Sequence, residues 1–246
     1  MYLRSKHVEL VYQQDCCQSY PLHNHVSVYV IGIVLNGCIE MQHAVDFCRY
    51  RPWDFFVILP YEPHTLKPAK GCRYDLLSVC LHKQWADQYP VKALQHIVWQ
   101  LVSGFMKDNG IQPFSAEVVQ NAIRQLGYMR QKGENFHPFV MRMAQWIETH
   151  ISEADGLSDD HQCHLLKQPY RIRAFKQHMG LTPHQFLIQN RIRQAQRLMD
   201  EDMPLTDIAA ACGFYDQSHF IKIFKQWFGL TPSAYMASIR YLNMPA

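Results

Sequence analysis

One nine-residue pattern occurs almost twice in this chain: Phe175-Lys-Gln-His-Met-Gly-Leu-Thr-Pro183 returns forty-nine residues later as Phe224-Lys-Gln-Trp-Phe-Gly-Leu-Thr-Pro232. Each copy reads as the end of one helix and the start of the next. Gly180 and Gly229 can adopt the left-handed conformation that closes a helix. Thr182 and Thr231 are N-cap residues, and Pro183 and Pro232 then stand at the first helical position.

Upstream of the second copy, Leu205-Thr-Asp-Ile-Ala-Ala-Ala-Cys-Gly213 predicts a short helix of small residues ended by glycine, and Asp216 to Phe228 predicts a longer one. Two helices meeting at such a turn suggest a helix-turn-helix. Phe220, Ile223, Phe224 and Trp227 recur at i, i+3, i+4 and i+7, which makes one core-facing stripe. Gln217, Ser218, Ile221, Lys222 and Lys225 are left facing outward. A helix that enters a DNA major groove needs this division, with apolar residues behind and base-edge donors and phosphate-binding cations in front. A solvated surface helix shows the same division, so the duplication is what favours DNA.

Gly213-Phe-Tyr-Asp-Gln-Ser-His-Phe220, Phe224-Lys225 and Gly229-Leu-Thr-Pro-Ser-Ala-Tyr235 together resemble the C-terminal signature of AraC-type transcription regulators. The resemblance implies a seven-helix domain with two helix-turn-helix units, joined by a long helix and entering two successive major grooves. That long helix is expected from about Thr182 to Met199, with Ile188, Ile192, Ala195 and Met199 buried and Arg191, Arg193 and Arg197 on its polar flanks. The first unit departs from the pattern. Residues 157–164 are acidic and polar where the family carries small residues, and Arg171 falls on the apolar stripe with Ile172, Phe175 and Met179. A buried arginine without a partner is costly, so in the segment from Lys167 to Met179 either the register slips by a residue around Pro169 or the helix starts late, and Pro169 as an early helical residue favours the late start. Tyr170, Arg173 and Lys176 would still face out, giving a unit that holds phosphates more than it reads bases.

Charge agrees in part. The whole chain carries a formal net charge of only +3, whereas residues 166–246 hold ten Lys or Arg against five Asp or Glu. Such a local excess favours salt-sensitive phosphate contact. The 246 residues exceed one average domain and fit two. No run of about 18 apolar residues and no cleavable leader is seen, so a cytoplasmic protein without membrane contact is expected. The eight cysteines include no Cys-x-x-Cys pair and read as reduced thiols.

The N-terminal half reads as strands. His25 to Leu35 is rich in β-branched residues and ends at Asn36-Gly37, a hairpin signal. Strands follow at Cys38 to His43, Phe55 to Leu59 and Tyr74 to Leu81, a pattern that suggests an antiparallel sandwich or barrel. Pro21-Leu-His-Asn-His25, Pro52-Trp-Asp54 and Pro60-Tyr-Glu-Pro-His64 resemble the cupin-like sensor barrel that AraC-type regulators often carry. The resemblance implies an effector pocket, with His23, His25, Tyr29, Trp53 and His64 as the residues expected to touch the effector. Metal-bearing cupins use such a His-x-His pair and a later histidine as ligands, usually with a glutamate after the pair. Here Val-Ser-Val-Tyr-Val follows His25, so neither a metal nor another cofactor is expected.

Val91 to Met106 and Ser115 to Arg130 carry helical apolar periodicity, suited to covering the barrel or to pairing in a homodimer. Lys132 to Phe136 is the candidate linker, and His137 to Ser152 the first helix beyond it. The expected fold class is α+β: residues 1–132 form a cupin-like effector-sensing and dimerisation domain with linker helices, and residues 133–246 an all-α tandem helix-turn-helix domain. The expected function is effector-modulated binding of double-stranded promoter DNA by a non-enzymatic transcription regulator, with RNA polymerase as a candidate contact. The alternatives are a metal-dependent cupin enzyme fused to a helical domain, with His23, His25 and His64 as ligands, and a helical module that binds protein.

Overall fold

Val28-Tyr-Val-Ile-Gly-Ile-Val34 has no polar face, and the strand it forms is covered on both sides. The structure, a computed structural model, describes residues 2–43, 46–132, 137–152, 169–201 and 203–241. Its strands are β1 (Tyr2–Arg4), β2 (Val8–Cys16), β3 (Tyr20–His23), β4 (Val28–Gly37), β5 (Ile39–His43), β6 (Phe47–Tyr50), β7 (Phe55–Ile58), β8 (His64–Pro68), β9 (Tyr74–His82) and β10 (Ile239–Tyr241). They make a six-stranded sheet in the order β10-β1-β2-β9-β4-β7 and a four-stranded sheet in the order β3-β8-β5-β6. Strands β1 and β10 pair in parallel, and every other described pairing is antiparallel.

The pleat of β4 explains its composition. Val30 and Val34 enter a core between the sheets, with Ile39, Met41, Phe56, Leu66 and Tyr74. Tyr29, Ile31 and Ile33 enter a second core under the helices α2 (Val91–Asp108) and α3 (Ala116–Lys132), where Val98, Val102, Ile123 and Leu126 meet them. The two sheets thus face each other over a shared core as an open, barrel-like pair. Asn36-Gly37 does turn the chain, with Gly37 at φ 73°. It makes no hairpin, however: β4 pairs with β7 and β9, and β5 with β6 and β8, so this turn hands the chain from one sheet to the other. Short α1 (Lys83–Ala86) follows β9.

Packing divides the chain into two units, Met1–Glu134 with Ile239–Ala246, and Asn135–Ser238. The second contains α4 (Pro138–Thr149), α5 (Pro169–Met179), α6 (Pro183–Met199), α7 (Leu205–Ala211), α8 (Gln217–Phe228) and α9 (Pro232–Ser238). These are six described helices where the resemblance implies seven; the linker residues 133–136 and the acidic stretch 157–164 lie outside the described residues.

The duplicated joints form as their chemistry dictates. Gly180 and Gly229 sit at φ 70° and 71°. Thr182 caps α6 in a reciprocal capping box with Gln185. The Thr231 hydroxyl accepts from Ala234 N at 3.3 Å. Helix α6 is buried along much of its circumference, through Phe186, Leu187, Ile192, Ala195 and Met199, while Ile188 is only half-buried. Two of the polar side chains on that surface are hydrogen-bonded within the unit: Asn190 donates to Phe186 O at 2.8 Å and Gln196 to the Tyr235 hydroxyl at 2.8 Å.

Candidate functional site

Helix α8 is fixed at both ends. The Asp216 carboxylate accepts from His219 N at 2.7 Å, and Gly229 closes the helix with its N–H on Lys225 O at 2.9 Å. The turn before it leaves no room for a side chain at Gly213, where a Cβ would lie 2.7 Å from the Arg191 guanidinium and 2.9 Å from Ser152 O. Behind the helix stands an aromatic core: Phe220 lies 5.1 Å from Phe214 and 5.7 Å from Phe224, and Phe224 lies 5.3 Å from Tyr235. Phe220 and Phe224 are buried, whereas Ile223 and Trp227 are half-buried. On the other side Ser218, Lys222 and Lys225 are exposed, and Gln217 and Ile221 half-buried. A rigid rod backed by aromatics therefore presents hydroxyl, amide and ammonium groups to solvent, suited to base edges and phosphates.

Helix α5 is built alike. Tyr170, Arg173 and Lys176 are exposed, and Phe175 packs 5.4 Å from Phe186. The helix begins at Pro169, which places Arg171 in its first turn, with the guanidinium over the Phe139 ring at 5.0 Å. Cation–π contact lets that charge sit half-buried.

The expectation for Arg191 is overturned. It is buried, with 2% exposure, and its Nε donates to Ile151 O at 3.0 Å. Its Nε thus holds the carbonyl just beyond α4, while its Nη2 lies against the Gly213 turn, 2.7 Å from where a Cβ at that glycine would stand. Arg193 is half-buried and Arg197 exposed. Sequence reasoning also passed over exposed Gln226, which continues the Ser218, Lys222, Lys225 face, and Tyr215, which stands just before α8.

In the first unit β3 and β8 bring His23 opposite His64. With His25 these imidazoles offer nitrogens within 4.8 Å of one another, and their ring centroids lie 4.2 to 5.2 Å apart. His23 Nδ1 lies 2.7 Å from Pro21 O and His64 Nδ1 3.0 Å from Glu62 O. A carbonyl only accepts, so Nδ1 carries the proton in both rings and Nε2 is the lone-pair nitrogen. Tyr20 lies 6.2 Å from His23, and burial pushes its phenol up to about 12. The Glu62 carboxylate is engaged elsewhere, with His43 Nδ1 and Leu59 N, each at 2.9 Å. Three converging imidazoles, two of them oriented by backbone carbonyls, fit a three-ligand divalent site, without the carboxylate of the metal-bearing cupin pattern.

Tyr29 and Trp53 are not part of this cluster. Tyr29 lies on the helix-covered face of β4, where its hydroxyl donates to Asp87 at 2.9 Å and accepts from Lys83 at 3.0 Å. Burial is the main reason its phenol titrates high. Arg130 joins through Asp87 at 3.1 Å. Trp53 sits at φ 74° in the turn before β7, 44% exposed, with its ring 5.7 Å from Phe114. Strand pleat sends Tyr29 to the opposite face from Val30, and the turn carries Trp53 outward.

Residues 167–238 match a family described as a helix-turn-helix domain. The chain is 23% identical over 242 residues to an uncharacterized HTH-type transcriptional regulator, YbfI, of Bacillus subtilis, covering 87% of this chain and 86% of that one. It is 36% identical over 86 residues to the HTH-type transcriptional activator RhaS of Pectobacterium atrosepticum, covering 32% of this chain and 29% of that one. In fold it is similar to the crystal structure of ToxT from Vibrio cholerae O395, with a TM-score of 0.59 at 13% identity, over 95% of this chain and 98% of that chain. Among the described residues no helix is long and apolar enough to cross a membrane.

Proposed function

From a chain that belongs, through residues 167–238, to the AraC-type transcription regulators, we propose a promoter-binding protein in which α8 and α5 enter two successive major grooves of duplex DNA. The observation that carries this reading is the exposed row Ser218, Lys222 and Lys225 on a helix whose back is an aromatic core. Gln217, Ser218 and Ile221 read base edges, and Lys222 and Lys225 hold phosphates. Tyr170, Arg173 and Lys176 do the corresponding work on α5, mostly on phosphates. The DNA-binding part is residues 133–246, and residues 1–132 sense a small-molecule effector.

His23, His25 and His64 form the polar end of the effector site. ToxT, which shares the fold, has been solved with an unsaturated fatty acid bound, which supports a small organic effector here. An effector that binds one arrangement better shifts the population toward it, and DNA affinity changes by that difference. The protein acts in the cytoplasm without turnover of its own, as a homodimer through the helices of the first unit, with RNA polymerase as a further contact.

The test is salt-dependent binding of the full chain to a promoter duplex found by footprinting. Lys222→Ala weakens binding and lowers the slope of log affinity against log salt by about one, whereas Gln217→Ala and Ser218→Ala change sequence preference. Parent-like behaviour of all three variants contradicts the reading. A second reading has His23, His25 and His64 hold a divalent transition-metal ion, as the metal-dependent cupin alternative requires. It is supported by their nitrogens lying within 4.8 Å of one another. It requires near-stoichiometric metal in the purified chain, lost in His64→Ala; metal-free protein from replete medium contradicts it.

A further inference from the structure

Tyr215 is 92% exposed, the highest value among the described large apolar and aromatic side chains. A ring left this far in water is unusual for its type. Its two neighbours are firmly held. Phe214 is buried, with its ring 5.1 Å from Phe220 and its N–H on Ala209 O at 2.9 Å. Asp216 is the N-cap whose carboxylate accepts from His219 N at 2.7 Å. The phenol therefore stands on a fixed backbone at the N-terminal mouth of α8, one residue before the cap.

The second unit exposes a further tyrosine near a helix start. Its described residues expose three large apolar or aromatic side chains, Tyr170 at 75%, Tyr215 at 92% and Leu230 at 38%. Tyr170 is the second residue of α5. Both tyrosines thus mark the entry ends of the two helices assigned to the grooves. A tyrosine fixes only two side-chain torsions on binding and keeps a neutral O–H donor, which suits a position beside the anionic Asp216.

We propose that Tyr215 is a DNA-positioning residue of the second helix-turn-helix. Its hydroxyl donates to a phosphate oxygen at the edge of the groove that α8 enters, and its ring covers the adjoining sugar. The inference rests on the DNA-binding reading above. Because a neutral group displaces no counterion, its contact differs measurably from a lysine's: affinity falls while the salt slope stays the same.

The experiment is fluorescence anisotropy of the full chain with the footprinted promoter duplex and a scrambled duplex across a salt series, for the parent, Tyr215→Ala, Tyr215→Phe and Lys222→Ala. Circular dichroism shows that each variant keeps the fold, as expected for an exposed side chain. Tyr215→Ala is expected to bind both duplexes about tenfold more weakly at an unchanged slope, with most of the loss already present in Tyr215→Phe, as for a hydrogen bond to a charged acceptor. Parent-like binding by Tyr215→Ala beside a weakened Lys222→Ala overturns the Tyr215 assignment and leaves the DNA reading standing. Parent-like binding by both overturns the DNA reading and this inference with it. Loss confined to the promoter duplex makes Tyr215 a base reader, and intact binding with lost transcription in vitro makes it a polymerase contact; either result overturns the positioning role.

Discussion

Helices α5 and α8 keep the same front and one buried phenylalanine, Phe175 or Phe224, but differ one turn earlier on the back. Arg173, Lys176 and Gln177 return forty-nine positions later as Lys222, Lys225 and Gln226, and all six are exposed. Behind them, Arg171 stands where α8 carries Phe220. Phe220 is fully buried among Phe214 and Phe224, whereas Arg171 is half-buried with its guanidinium over Phe139. Phosphate contact needs only cations on an exposed face, so the front tolerates Arg for Lys. Base reading needs a helix held in one place, and the back decides that. The difference teaches that α8 is seated on a deeper aromatic back than α5, which is what the proposed division into base reader and phosphate holder requires.

Breaking the stronger back should have the largest effect. Phe220→Ala removes a fully buried ring and is expected to cost about 4 kcal/mol of stability in thermal or denaturant unfolding of the full chain. A loss near that for Arg171→Ala would erase the contrast between the helices. Removing the α8 cap with Asp216→Ala should cost about 1 kcal/mol and lower promoter affinity through fraying. Arg171→Ala should cost no more than about 1 kcal/mol, because a half-exposed cation–π contact is all it removes.

The smallest expected effect appears only at alkaline pH. Burial pushes the Cys212 thiol, beside the α7 turn, up to about 11 from its ordinary 9.0. Its folded value lies above its unfolded one, so the neutral thiol's contribution is complete below pH 9 and is lost as pH rises toward 11. The stability gap between the parent and Cys212→Ala should therefore narrow over that window, as thermal midpoints would record.

The joints of the second unit were legible because glycine, threonine and proline act through their own backbone chemistry, which Gly180, Gly229, Thr182 and Thr231 need no neighbours to express. The face of α8 was legible through its helical periodicity. Arg191 was not, because the periodicity of α6 does not reveal that Ile151 and the Gly213 turn close over its polar flank. The side of the sheet on which Tyr29 lies was illegible for a related reason. A strand apolar on both faces carries no mark of which residues look toward the other sheet and which toward α2 and α3. The strands β1, β2, β3, β6 and β8 escaped notice; β6 and β8 are short and half polar, and β2 has an irregular register between Gln13 and Cys16. His23, His25 and His64 meet as their motif resemblance implied, while Trp53, drawn from the same resemblance, lies in an outward turn.

The most direct test of the paired-helix account is a hydroxyl-radical footprint of the full chain on its promoter. Two protected segments about 10 base pairs apart on one face of the duplex are the expected result, one for each groove-entering helix. A single protected segment, or none, would contradict the account.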